Sequence, residues 1–78
     1  MSLSSLEKNK WYIIKNVDSK DEELKYRFFK MGIYPGARIM LKRKAPLFFD
    51  PLLVQVELSQ FALSKNEAKA IEVGELCQ

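Results

Sequence analysis

Residues 27–51, RFFKMGIYPGARIMLKRKAPLFFDP, hold a helix end, a fixed turn, a strand and a proline-bounded loop in direct succession. Gly32 stands where a helix should stop, because a glycine just past the last turn takes the left-handed conformation that other residues resist. Ile33 follows as the apolar contact that closes such an end. Tyr34-Pro35-Gly36-Ala37 then reads as a type II turn: proline presets the first central dihedral and glycine accepts the positive one at the second. The chain must leave a helix, reverse, and enter a strand over 37–44 at a defined angle. Within that strand Ile39, Leu41 and Arg43 alternate with Arg38, Met40, Lys42 and Lys44, so one side is mostly apolar and the other, mostly basic, is expected to face water. Ala45 to Pro51 is a loop, since its two prolines cannot donate to a ladder and each restricts the residue before it.

Outward from this stretch, the helix that Gly32 ends should begin at Ser19-Lys20-Asp21-Glu22, which has the form of a capping box. Leu24, Phe28 and Met31 recur at i, i+4, i+7 and mark its core face, with Phe28 placed to meet Ile33 across the glycine. Acidic residues 21–23 and Lys30 suit the two ends of the helix dipole. Before the helix, 10–17 is aromatic and β-branched, with apolar residues on both faces, and reads as a strand. Asn9 ahead of it tolerates turn conformations. Leu3 and Leu6 predict one helical turn that lays two leucines on the body of the domain, with Ser2 as its cap.

Beyond the loop, Leu52, Val54, Val56 and Leu58 alternate with Leu53, Gln55 and Glu57 and predict a third strand. A turn at Ser59-Gln60 leads to a fourth over 61–64. Ser64-Lys65-Asn66-Glu67 is a second capping box, opening a helix too short to stand without tertiary support. A last strand, 71–73, should end at Gly74. Five short strands, one substantial helix near 20–31 and short helical turns near 2–6 and 65–69 predict a mainly β, strongly bent small barrel.

Seventy-eight residues fit one domain, 1–78, near the lower size limit for a core without staples. Hydrophobic residues at 47% and charged residues at 29% indicate a globular chain. A net charge of +3, from 13 basic and 10 acidic residues, neither demands nor excludes a nucleic acid. Cys77 is the one cysteine and cannot close an internal disulfide. A reducing, cytoplasmic setting is expected, as no charged-then-apolar leader or membrane-length apolar run is present.

Histidine is absent, which removes Ser-His and Cys-His nucleophiles and the usual neutral-pH base. The glycines are not followed by Lys-Ser or Lys-Thr, so no phosphate loop is formed. Scattered carboxylates and one terminal cysteine lack the clustered ligands of a zinc or transition-metal site, and Asp21, Glu22 and Glu23 offer at most weak binding of a hard cation. No catalytic residue, metal site or cofactor is therefore expected. Two features remain: the basic strand residues Arg38, Lys42, Arg43 and Lys44, and the apolar run Leu47-Phe48-Phe49 in a loop, where function is often carried.

The order of these features resembles the FeoA family of small SH3-like barrels that accompany the ferrous iron transporter FeoB. The residues that carry the resemblance are Arg27-Phe28, Met31-Gly32-Ile33, Pro35-Gly36, Ile39 to Leu41, Ala45-Pro46-Leu47, Asp50-Pro51, Ala62-Leu63 and Glu67-Ala68, spanning most of the chain. The chain departs from the pattern at Asn9 and Leu58, where the family usually has glycine, at Ser64, where it often has arginine, and at Phe48-Phe49, where its loop commonly holds a glycine. The resemblance implies a non-catalytic accessory of ferrous iron uptake that binds the cytoplasmic part of an FeoB-type transporter. Leu47, Phe48 and Phe49, flanked by Lys42 and Lys44, are the expected contact, and Arg27, Arg38 and Arg43 are candidates for a GTPase-stimulating arginine. The rival readings are a nucleic-acid-binding barrel and a regulatory module of an iron-dependent repressor.

Overall fold

The computed structural model describes residues 1–45 and 50–76. Five antiparallel strands, β1 (Trp11–Val17), β2 (Arg38–Lys44), β3 (Leu52–Val56), β4 (Ser59–Leu63) and β5 (Ile71–Glu75), form one sheet in the order β4-β3-β2-β1-β5. One helix, α1 (Glu22–Lys30), connects β1 to β2, and a single-turn helix, α2 (Lys65–Ala68), connects β4 to β5. The mainly β, five-stranded architecture expected from the sequence is the one observed.

The core explains the curvature. Phe28, Leu3, Ile14, Ile39, Leu52 and Ile71 are among its fully buried side chains, and among the described residues no polar or charged residue is buried with them. Phe28 is the one inward aromatic of α1, with Leu24 and Met31 half-buried beside it, as the helical spacing required. The helix end is a complete Schellman motif: Ile33 N–H donates to Phe28 O at 2.8 Å and Gly32 N–H to Phe29 O at 3.0 Å, with Gly32 at φ 86°. The type II turn is equally definite, as Ala37 N–H reaches Tyr34 O at 3.0 Å and Gly36 sits at φ 96°. Gly36 N–H also donates to Ile14 O, and Ile14 N–H to Ala37 O, both at 2.8 Å. The turn is thereby held on β1, which fixes the angle between helix and sheet.

The beginning of α1 differs from expectation. Asp21, not Ser19, is the N-cap, and its Oδ1 accepts from the Glu23 and Leu24 amides at 3.0 and 3.2 Å. Ser19 Oγ instead accepts from Asp21 N–H at 3.0 Å, holding the cap one step back. A carboxylate beside the positive helix end outcompetes a neutral hydroxyl two residues away. Ser2 is no side-chain cap either: the 3₁₀ turn of Leu3–Ser5 is closed by Ser5 N–H on Ser2 O at 3.1 Å. Leu3 and Leu6 are both buried, as expected. Met1 lies along β5, exchanging N–H···O bonds of 2.9 and 3.0 Å with Val73. The second capping box is complete, with Ser64 Oγ accepting from Glu67 N–H and Glu67 Oε1 from Ser64 N–H.

The hairpin β3–β4 turns two residues earlier than the alternation suggested. Val56 pairs with Ser59, so Glu57 and Leu58 form the loop, Glu57 takes φ 55°, and Leu58 is 98% exposed. The reason lies downstream. A turn at Ser59-Gln60 would shift every pair by four residues and place Glu67 opposite Leu52, yet Glu67 is committed to the Ser64 box. In the observed register Leu63 reaches Leu52 just before that box begins. β5 continues through Gly74 to Glu75, because β1 offers Ile13 and Tyr12 as partners beyond Val73.

Glu57 occupies a dihedral region that suits glycine, at a loop position where the positive φ favours Gly. Glu57→Gly should therefore raise stability by about 0.5–1 kcal/mol, less the entropy glycine loses on folding. Urea unfolding of the two chains measures it; a lower midpoint for the variant would contradict the turn.

Candidate functional site

β2 carries the residues on which a partner or nucleic acid was expected to act, and a β-bulge redistributes them. Leu41 pairs with Val54, but Arg43 pairs with Leu53 and Lys44 with Leu52, leaving Lys42 as the extra residue. Arg43 consequently joins Arg38 on the exposed outer side instead of lying with Ile39 and Leu41. Lys44 stands opposite the buried Leu52, and Lys42 and Lys44 are both half-buried. The basic row that strict alternation implies is thus broken, because a bulge switches faces midway along a strand. β1 does the same at Lys15, and there the shift brings Val17 into the core.

Leu47, Phe48 and Phe49 lie outside the described residues. The two ends of their loop are described and are drawn together: Ala45 N–H donates to Pro51 O at 3.0 Å, and the Asp50–Pro51 peptide is cis. Asp50 Oδ1 accepts from Lys65 N–H at 3.2 Å, tying the loop exit to the start of α2. Beside this base, Arg43, Ala45, Pro51, Leu53 and Ala62 line an open hollow of about 240 Å³ on the outer side of the sheet. Ala45 and Pro51 thus form a closed neck, next to a hollow that Arg43 lines.

The three candidate arginines separate. Arg27 is engaged with Glu67 Oε2, so the same carboxylate that completes the Ser64 box also links α1 to α2. Arg38 and Arg43 are exposed on β2. Arg38 lines a second open hollow, of about 250 Å³, with Trp11, Gln55, Glu57 and Leu58. Among the described residues no group of three His, Cys, Asp or Glu side chains could hold a metal ion. Asp21, one of the three carboxylates of the acidic run, spends its side chain on the helix cap. No helix among the described residues is long and apolar enough to cross a membrane.

Sequence reasoning missed a further surface. Tyr26 and Phe29 are 64% and 61% exposed on the outer side of α1, and Tyr34 of the type II turn is 45% exposed. The Phe29 and Tyr34 rings meet with centroids 5.7 Å apart. The available signal was that Phe29 follows a core phenylalanine, and adjacent helical residues point about 100° apart.

A family model for the FeoA domain matches residues 1–75 of the chain. The chain belongs to the FeoA family. Solved FeoA structures share its fold. Iron(II) transport protein A of Clostridium thermocellum is 33% identical with a TM-score of 0.88, over 97% of this chain and 46% of that one. The chain thus spans less than half of that relative's length. The FeoA of Stenotrophomonas maltophilia is 30% identical with a TM-score of 0.80, over 95% of this chain and 89% of that one. It was crystallised with zinc, described as a prokaryotic SH3-domain protein and put forward as a ferrous iron transport activating factor. The fold alone extends to T. acidophilum IdeR, at 19% identity and a TM-score of 0.80, over 94% of this chain and 32% of that one. No curated protein gives a significant match. With an FeoA-type SH3-like barrel as scaffold, the hollow lined by Arg43 and Ala45 and the α1 aromatics are separate surfaces.

Proposed function

We propose that this FeoA-family chain is a non-catalytic accessory of ferrous iron uptake that acts in the cytoplasm by binding the cytoplasmic part of an FeoB-type transporter. The family match over 1–75, with relatives described as an iron(II) transport protein and a transport activating factor, carries the reading. The chemistry is consistent with it. A histidine-free chain with no metal-holding cluster among its described residues is suited to contact rather than catalysis. Leu47, Phe48 and Phe49, with Lys42 and Lys44 preceding them in the chain, form the proposed contact. Aromatic residues in such a position give large contact area at low entropy cost. The repressor-module reading has support only at the level of fold, and fold does not carry function.

The test is a pull-down of the transporter's cytoplasmic domain with purified chain and with the double variant Phe48→Ser, Phe49→Ser. The variant should retain its melting temperature within a few degrees and lose binding at least tenfold, on the order of 1.4 kcal/mol or more. Undiminished binding by a folded variant removes this loop as the contact, and absence of binding by the parent chain removes the transporter as the partner.

A further inference from the structure

The outer side of α1 carries an apolar groove that opens onto the edge of the core and lies outside the proposed transporter contact. Val17, Lys25, Phe29, Ile33, Tyr34 and Pro35 line it, enclosing about 200 Å³ between the helix and the type II turn. Ile33 and Val17 form a buried floor, while Phe29 and Tyr34 stand as exposed walls. Their rings meet at 5.7 Å and 45°, a tilted aromatic contact that keeps both walls upright. Pro35 and the hydrogen-bonded turn behind it make the opposite bank rigid. Of five large apolar side chains exposed among the described residues, three, Tyr26, Phe29 and Tyr34, belong to this side of the molecule. Exposed aromatics gathered around a concavity are a mark of recognition.

Charge decides what fits. Lys25 is the only ionisable cation among the lining residues, no carboxylate lines the groove, and Lys25 makes no ion pair among the described residues. Lys30, one turn along the outer side, lies over the Tyr26 ring at 5.1 Å and extends the same sign of charge past the aromatic row. We infer that this groove receives an extended peptide segment of a partner protein, with an aliphatic or aromatic anchor seated over Val17 and Ile33 against the joined Phe29 and Tyr34 rings and a neighbouring Asp or Glu paired with Lys25. The concavity holds a side chain, which a flat lipid surface does not supply. Extended peptides gain specificity from such pockets for individual side chains. This inference stands apart from the transporter reading, since it names a different surface and is tested without the transporter.

A library of random twelve-residue peptides displayed on phage is selected against the full chain, and the enriched peptides are synthesised and titrated by fluorescence anisotropy. Enriched sequences should share an apolar residue next to Asp or Glu. Their affinity should fall at least tenfold on Phe29→Ser and on Lys25→Glu, and stay within twofold on Leu58→Ser, an exposed residue that does not line the groove. Phe29 and Lys25 are exposed, so these variants keep the fold; retained melting temperature verifies it. A swap of the peptide acid for Lys should restore binding to Lys25→Glu. Lack of enrichment, enrichment of basic peptides, or affinity unchanged by Phe29→Ser overturns the proposal. So does binding of the chain to phosphatidylglycerol vesicles that Phe29→Ser abolishes while peptides bind elsewhere, which would assign the aromatics to a membrane.

Discussion

Phe28→Ala should leave the chain largely without a stable fold at physiological temperature. Phe28 is fully buried, and truncating a buried phenylalanine costs about 3–5 kcal/mol in lost transfer energy and cavity. A chain of this size has on the order of 4–12 kcal/mol in total, so one side chain carries a large fraction of the stability. The position allows little relaxation: the Phe28 carbonyl also accepts the Ile33 amide, so the helix end cannot slide inward to fill the void without giving up its closing bond. Circular dichroism should show a melting temperature at least ~12 °C lower, taking ~4–8 °C per kcal/mol for a domain of this length. Phe29→Ala is the matched control, since its side chain is 61% exposed, and it should shift the melt by only a few degrees. Equal shifts for the two would mean that the helix faces the sheet differently.

Gly32→Ala is expected to cost more than Gly36→Ala, although both glycines have positive φ. At Gly36 an added Cβ meets nothing within 4 Å, so the cost is the backbone preference alone, about 1–2 kcal/mol. At Gly32 the Cβ would stand 3.2 Å from Val56 Cγ1, and Val56 is buried on β3 with little room to withdraw. Crowding of a packed core adds about 1–3 kcal/mol to the same backbone term. Gly36→Val should also lower the melting temperature clearly, because a β-branched residue accepts the turn's positive dihedral poorly. The decisive measurement is the difference in urea midpoint between the two alanine variants. A larger loss at Gly36 would contradict the close approach of the helix end to β3.

These two positions also show why parts of the fold were legible in advance. Gly32 and Pro35-Gly36 act through local dihedral restriction, which a sequence expresses directly, and the Schellman end and type II turn followed. Ser64-Lys65-Asn66-Glu67 was legible for the same reason, since a capping box closes within four residues. Ser19-Lys20-Asp21-Glu22 has the same form and misled, because Asp21 competes for the same orphan amides from a better position. Leu58 continued an alternation that the hairpin interrupts, and the interruption comes from the placement of the Ser64 box on the far side of β4. Of the candidate contact residues, Lys42 and Lys44 were legible as basic residues but not as half-buried ones, while Leu47, Phe48 and Phe49 fall outside the described residues.

The sequence by itself determined the succession of elements: helix, glycine end, rigid turn, and five strands with their apolar periodicities, each set by dihedral preference or by residues within one turn of each other. It also excluded histidine chemistry outright. Only the tertiary structure decided the faces. The bulges at Lys15 and Lys42 exist because strands that wrap a small core must bend, and bending adds a residue to one strand of a pair; no local preference announces which one. The α1 groove likewise depends on how the turn at Pro35 packs beside Phe29, a relation fixed by the backbone hydrogen bonds from Gly36 N–H to Ile14 O and from Ile14 N–H to Ala37 O.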